Sequence, residues 1–201
     1  MNLSIIRNYF TPTSVLDIGA NVGQFYKSCK EVFPNCYYYL IEGNDNCEED
    51  LITLNVDFSI SLLSDTEKYV DFYTRKNDFK CTGSSIYREK TPFYNDGEIR
   101  IIKKKTTVLD QLLPDKQFDL IKIDVQGSEM DIILGGLNLI KKSMGVILEV
   151  SLVEYNENSP HKSTIYEIMN KLDFLPVESL EDITSPYFDG IIQENILFVK
   201  K

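Results

Sequence analysis

The chain is poor in positive charge. Its 201 residues hold 31 Asp and Glu against 21 Lys and Arg, a net charge of −10. Nucleic-acid binders carry a basic surplus or stripe to meet the phosphate backbone. The one basic cluster here, Lys103–Lys105, stands beside the largely apolar segment 99–102 and reads as a solvated strand face or edge guard. Nucleic acid is therefore not an expected partner. Histidine is nearly missing, with His161 alone. The cysteines, Cys29, Cys36, Cys47 and Cys81, never fall in C-x-x-C spacing, so neither a zinc site nor a redox pair is signalled. No apolar run approaches about 18 residues, so no membrane-spanning helix is expected. The first residues lack the basic flank, long apolar stretch and cleavage site of a secretory signal. These absences point to a cytoplasmic protein with reduced thiols.

What is present is an alternation of strand-like and helix-like segments across a single expected domain, 1–201. Residues 3–10 read as a short amphipathic helix. Apolar, β-branched runs predict strands ending at Asp17, Glu42, Asp124 and Glu149. Residues 57–65 alternate and predict a third strand ending at Asp65, with residues 69–75 as an extra strand paired to it in a hairpin. Residues 76–98 are polar and turn-rich. A connection of that length in a compact domain is usually functional or disordered. Helical spacing follows the first, second, fourth and fifth strands, and two further strands close the chain. This is the pattern of an α/β domain with a mostly parallel sheet covered on both faces.

In such sheets, ligands bind beyond the C-terminal strand ends. The unusual residues collect there: Asp17 with Gly19 and Gly23, Glu42 with Gly43, Asp65, Asp124 and Glu149. One acid at a strand end is unremarkable, but five on one edge suggest a site. A dinucleotide loop would read G-x-G-x-x-G. Here Asn21 replaces the middle glycine, the third is missing, and no Walker lysine follows. The loop keeps close backbone approach but stands among carboxylates, which suits an amine-bearing ligand better than a phosphate. Glu42, roughly 20 residues beyond the loop, is placed to accept from ribose hydroxyls, and Asp65 from an adenine amino group. A ligand with a ribose, an adenine, an ammonium group and no phosphate is S-adenosylmethionine.

The segments VLDIGANVGQF (15–25), YLIEGN (39–44), LLSD (62–65), LIKIDVQGSEMDIILGG (120–136) and GVILEVS (145–151) resemble the FkbM-type S-adenosylmethionine-dependent methyltransferases. The resemblance spans roughly residues 14–155. It departs at Gln126, where that family commonly has Glu. It implies a Rossmann-like sheet of seven strands in the order 3-2-1-4-5-7-6, the last antiparallel, with helices on both faces. It also implies methyl transfer, usually to a hydroxyl of a sugar, glycan or natural product. The cofactor set is then Asp17, Gly19, Ala20, Asn21, Gly23, Phe25, Glu42, Gly43, Asn44, Leu63, Ser64, Asp65, Asp124 and Val125.

Methyl transfer is an in-line displacement, so positioning supplies much of the catalysis. A hydroxyl is also a poor nucleophile and needs a base or a metal. Asp124, Glu129 and Glu149 are expected to converge. Either one is a base with a pKa raised by its neighbours, or the group holds Mg²⁺ through oxygen ligands, or the acids are purely structural; a metal is not the favoured reading. Lys122 can pair with one of these acids. His161, in the loop after the fifth strand, is a further catalytic candidate. Tyr155, Gly83, Ser84 and Ser85 are acceptor-side candidates. The acceptor pocket is expected from loops 76–98, 151–163 and 179–194, or from a second subunit of a homo-oligomer. Two alternatives stay open: N-methylation of a small molecule or protein, and a nucleotide-binding domain without turnover. The absence of an N-P-P-Y tetrapeptide argues against nucleobase methylation.

Overall fold

The fold was obtained as a computed structural model that describes residues 1–80, 82–95 and 97–201. Cys81, one of the thiols expected to be reduced, lies outside the described residues; Cys29 and Cys36 are free.

A 3-10 turn, Leu3–Asn8, takes the place of the expected N-terminal helix and buries Leu3 and Ile6. Then follow β1 (Ser14–Ile18), α1 (Gln24–Val32), β2 (Tyr37–Glu42), α2 (Glu48–Thr53), β3 (Asp57–Ile60), β4 (Leu63–Ser64), β5 (Tyr69–Arg75), β6 (Ile99–Lys105) and β7 (Thr107–Val108). The second half runs α3 (Leu109–Leu112), β8 (Leu120–Ile123), α4 (Glu129–Gly135), α5 (Leu137–Ile140), β9 (Gly145–Ser151), α6 (Lys162–Lys171), β10 (Phe174–Thr184) and β11 (Ile191–Lys200).

Seven of these strands form one sheet in the order β10-β11-β9-β8-β1-β2-β3. All run parallel except β11, which is antiparallel to both its neighbours. Counting only the strands of this sheet along the chain, the order is 3-2-1-4-5-7-6, as the resemblance implies. Strand alternation divides the apolar residues between two cores. Leu16, Ile18, Ile121, Ile123, Val146 and Leu148 pack under α4, α5 and α6. Val15, Leu40, Leu120, Ile147 and Leu197 pack under the N-terminal turn and α1. Each buried aliphatic side chain contributes roughly 1.5–3 kcal/mol. That is why the central strands are apolar on both faces.

Two expectations about the middle of the chain need correction. The 57–65 segment is not one strand. After Ile60 the chain leaves the sheet, and Leu63–Ser64 pair in parallel with Thr107–Val108. Residues 69–75 do not form a hairpin with that segment; they pair antiparallel with Ile99–Lys105. The basic run Lys103–Lys105 therefore lies on a strand, as expected, and its cations pair with Asp71, Asp45 and Glu67. The connection between β5 and β6 is folded back over the sheet's C-terminal edge. Ser85 bridges to Tyr73, and Glu89 bridges to Asn156 in the loop after β9.

Candidate functional site

The site begins where β1 stops. Gly19 has φ +81, and a Cβ there would lie 1.8 Å from the Asp124 carbonyl oxygen. No side chain fits between the two loops, so glycine is required by close approach as well as by backbone sign. Asn21 follows in the left-handed region at φ 49. Its backbone N–H donates to Glu42 Oε2 at 2.7 Å, while Asn44 N–H donates to Glu42 Oε1 at 2.7 Å. Glu42, which ends β2, thus clamps the β1 and β2 loops together. Burial pushes its carboxyl up, and the backbone donors from Asn44, Asn21 and Gly43 oppose that shift.

Asp17 lies within β1, one row below. It is fully buried, and neither carboxylate oxygen has a partner of hydrogen-bond geometry. Burial raises its pKa to about 6; the Lys122 charge and the Tyr26 backbone favour the ionised form less strongly. An orphaned buried carboxylate of this kind needs an explanation.

Lys122, Asp124 and Glu149 belong to the same sheet face as Asp17. Lys122 Nζ donates to Asp124 Oδ2 at 2.8 Å and lies 5.2 Å from the centre of the Phe25 ring. Gln126, at φ 57, donates through Nε2 to Asp124 Oδ1 (3.1 Å) and to Glu149 Oε2 (2.6 Å). Gln193 Nε2 reaches the same Glu149 oxygen at 2.8 Å. Burial, followed by the Asp124 and Glu129 charges, pushes Glu149 well above the carboxylate range. Lys122 and Gln126 overcome desolvation to hold Asp124 below it. The proton of the pair therefore sits on Glu149.

Two cavities meet at this edge, sharing Gly19, Asn21, Thr82 and Asp124. The first is narrow, about 50 Å³, between Glu42, Gly43, Leu63 and Val125 on one side and Ser84, Ser85 and Ile86 of the β5–β6 connection on the other. That connection is tied down: Asn21 Nδ2 donates to the Lys80 carbonyl, Asn44 Nδ2 to that of Phe79, and Ser85 Oγ to that of Val125. The second cavity, about 530 Å³, is lined by Ala20, Phe25, Lys122, Gln126, Glu149 and Tyr155, and extends to Glu181, Gln193 and Asn195.

Most of the expected residues come together here, but not all. Gly23 packs on Leu54 behind the loop, and Asn44 is buried beneath it. Ser64 and Asp65 line neither cavity; Asp65 is held below its usual pKa by Lys68, 2.6 Å away. The chain has left the main sheet by that point, and Leu62 and Leu63 face the cavity instead. Glu129 is likewise not at the reacting edge. Its Oε1 accepts from the Val125 and Gly127 N–H groups at 3.1 and 3.2 Å, and burial pushes it up to about 7. It shapes the turn that aims Gln126. His161 is exposed at the start of α6 and lines a separate surface groove with Glu154 and Ser163. Ser84 and Ser85 face the first cavity, and only Tyr155 of the acceptor-side candidates faces the second. Gly83 lines neither cavity and packs on Glu89 and Tyr94. Among the described residues no group of three His, Cys, Asp or Glu side chains is arranged to hold a metal ion.

Sequence reasoning missed Gln193 and Asn195. They occupy alternate positions on β11 with Leu197, so two amides stand where apolar residues were due. Asn195 is in register with Glu149.

The sheet order and its polar edge define the Rossmann-like methyltransferase class. Solved structures with this fold include the 1,6-didemethyltoxoflavin-N1-methyltransferase of Burkholderia thailandensis with bound S-adenosylhomocysteine (13% identity, 98% of this chain and 76% of that chain, TM-score 0.53). The plantazolicin methyltransferase BpumL in complex with S-adenosylhomocysteine is similar at 13% identity (98% and 80% covered, TM-score 0.53). So is a TehB-like methyltransferase from Corynebacterium glutamicum at 11% identity (98% and 85%, TM-score 0.52). No curated protein matches the sequence. The methyltransferase FkbM domain matches residues 17–179. The chain belongs to the FkbM family and is an S-adenosylmethionine-dependent methyltransferase.

Proposed function

We propose that the protein methylates a hydroxyl group of a sugar, glycan or small natural product. The observation that carries this reading is the Asp124–Glu149 pair, with Asp124 at the junction of the two cavities and Glu149 lining the second, its carboxyl pushed up by burial and by the neighbouring carboxylates. An amine acceptor is nucleophilic once neutral, whereas an alcohol needs its proton removed as the bond forms.

The residues present fit the cofactor. Glu42 and the Gly19–Asn21 loop would hold the ribose side, Leu63 and Val125 the adenine, and the buried Asp17 charge would favour the ammonium end. When bound, S-adenosylmethionine supplies a methyl group on a sulfonium sulfur that leaves as a neutral thioether as the new oxygen–carbon bond forms. Glu149, once ionised, takes the hydroxyl proton at Oε1 or Oε2. Gln126 and Gln193 hold its carboxylate in place through Nε2. Lys122 keeps Asp124 ionised and so keeps it from competing for the proton. The free thiols of Cys29 and Cys36 are in keeping with a reducing, cytoplasmic site of action.

The test is transfer of isotope-labelled methyl from S-adenosylmethionine to a panel of hydroxyl and amino acceptors. Alkali-stable label on hydroxyl compounds is expected. Label on amines alone would replace this reading with N-methylation.

A further inference from the structure

The first cavity is too small for the part of the cofactor assigned to it. Its floor is Glu42, Gly43, Leu62, Leu63 and Val125, where ribose and adenine are placed, yet its volume is about 50 Å³. Ordinary small-molecule pockets run to roughly 300–1,000 Å³, and the second cavity, at about 530 Å³, falls in that range. The shortfall comes from the roof. Thr82, Ser84, Ser85 and Ile86 of the β5–β6 connection lie across the cleft. The floor stands at the strand ends of a packed sheet. The roof belongs to a strap of turns and bends with a 3-10 turn at Pro92–Tyr94.

The strap is held unequally at its two ends. At one end, Tyr87–Lys90 is bonded to the loop after β9 through main chain. Lys90 N–H donates to the Tyr155 carbonyl at 2.9 Å, and Glu157 N–H to that of Arg88 at 2.8 Å. Asn156 Nδ2 donates to the Tyr87 carbonyl at 3.1 Å, and the Tyr87 hydroxyl to Asp131 Oδ2 at 2.9 Å. At the other end, among the described residues, side chains reach the strap from the cofactor loops. Asn44 Nδ2 donates to the Phe79 carbonyl at 2.6 Å and Asn21 Nδ2 to that of Lys80 at 3.0 Å. Lys80 also pairs with Asp50, but both side chains are well exposed, and such pairs contribute little. Phe79 is itself 47% exposed, so apolar burial does not anchor that end. The backbone N–H groups of the same two asparagines hold Glu42. Asn21 and Asn44 therefore grip the ribose-side carboxylate and the strap together.

We propose that this strap is a gate over the cofactor: it lifts from its Phe79–Lys80 end, turns about the Tyr87–Lys90 end, and is latched shut by the side-chain amides of Asn21 and Asn44. S-adenosylmethionine enters, and spent S-adenosylhomocysteine leaves, while the strap is up. Lid motions of this kind set the turnover of many enzymes. Thr82 lines both cavities, so lowering the strap also completes a wall of the acceptor cavity. The gate rests on the ribose and adenine placement proposed above and holds for any acceptor. Its latch bonds join protein to protein, so they are the same in the free and loaded states. Weakening them speeds entry and exit alike and leaves the affinity nearly unchanged. A residue that merely holds the cofactor behaves otherwise, because its loss speeds exit alone.

The chain has no tryptophan, so Phe79→Trp puts a single fluorophore on the moving end. Stopped-flow fluorescence of the full chain follows binding of S-adenosylhomocysteine, and rapid dilution of the loaded protein follows its release. Calorimetry gives Kd for wild type and every variant, and shows that each one folds. The binding rate is expected to level off at high ligand concentration, at the rate of opening. Asn44→Asp keeps the oxygen that accepts from Asn46 N–H and replaces the donor to Phe79 with a second oxygen. In that variant the plateau and the release rate should both rise roughly 5- to 10-fold, the scale of one lost hydrogen bond. Kd should hold within about 2-fold. Asn21→Gly tolerates the backbone at φ 49 and loses the amide to Lys80, so it should act in the same direction. A release rate that rises together with Kd while the plateau stays, or rates unchanged in both variants, overturns the gate. Binding to wild type by calorimetry with a rate that climbs linearly and never levels off overturns the gate alone. Failure of wild type to bind S-adenosylhomocysteine overturns the cofactor placement, and the gate falls with it.

Discussion

Asp17→Asn should make the ligand-free protein more stable at neutral pH and weaken its grip on cofactor. The Asp17 pKa is raised from 3.8 to about 6 by burial. A carboxyl whose folded pKa lies above its unfolded value binds the proton better when folded. Its contribution to stability is therefore complete below about pH 4, declines as pH rises, and is gone above about pH 6. The span of 3.8 to about 6 corresponds to about 3 kcal/mol at 1.36 kcal/mol per unit. Asparagine has the same shape without the charge, so that cost disappears. At pH 8 the variant should be more stable by up to about 3 kcal/mol, roughly 6–12 °C in Tm for a chain of this size. Near pH 4 the two proteins should be nearly equal. The assay is urea unfolding of both proteins from pH 4 to pH 8, read as the difference between them. Glu42, Glu129 and Glu149 are raised too and drop out of the subtraction. A difference that does not grow between pH 4 and pH 6 would show that the Asp17 carboxylate is hydrated or partnered in the free protein, and the reasoning would fail. Calorimetry with S-adenosylhomocysteine completes the test: the stabilised variant should bind less tightly if the charge serves the ligand's ammonium as proposed.

Glu42→Ala should weaken S-adenosylhomocysteine binding by at least ~10-fold, the scale of a charge-assisted hydrogen bond; unchanged affinity by calorimetry would remove Glu42 from the site. For wild type, kcat/KM should rise with pH through a value well above the carboxylate range, since Glu149 is protonated below its raised pKa and acts as a base only above it. Glu149→Gln should abolish that dependence and lower kcat by roughly 10²–10⁴-fold with cofactor binding retained; a variant that keeps the wild-type profile would assign the base elsewhere. Binding of the cationic cofactor should release protons near pH 6, because it favours the ionised form of Asp17. The check is calorimetry in buffers of different ionisation enthalpy, and equal heats in all of them would count against it.

The sheet was legible because its strands carry their own signal. Segments such as 120–123 and 145–150 are apolar on both faces, and each parallel strand is followed by helical spacing. The glycine loop and Glu42 were legible for the same local reason: Gly19 and the acid ending β2 lie next to strand ends that hydrophobicity marks. Residues 57–65 misled because alternation describes a strand but not its partner. The departure at Ile60 is set by Thr107–Val108, more than forty positions later. Asp65 was drawn into the expected site by that error. Glu129 looked catalytic by spacing, yet the turn it closes needs two N–H groups satisfied, and the side chain turns inward to satisfy them. Gln193 and Asn195 escaped notice because their role depends on register across β9 and β11.

Charge accounting ties these pieces together. The edge buries Asp17, Glu42, Glu129 and Glu149, with Asp124 partly exposed, against one buried lysine, Lys122. Burial of unpaired carboxylates is costly, and all but Asp124 respond by moving their pKa upward. The chain limits that cost with neutral donors: backbone N–H groups at Glu42 and Glu129, and amides from Gln126 and Gln193 at Glu149. Gln126 is part of the same economy. A glutamate in its place would set a third carboxylate between Asp124 and Glu149, where two are already in conflict over one proton. What the protein compensates least is the charge of Asp17, which only the Lys122 charge and the Tyr26 backbone favour. A site that leaves one buried negative charge so weakly compensated, beside a loop open to close backbone approach, suits a ligand that brings positive charge of its own.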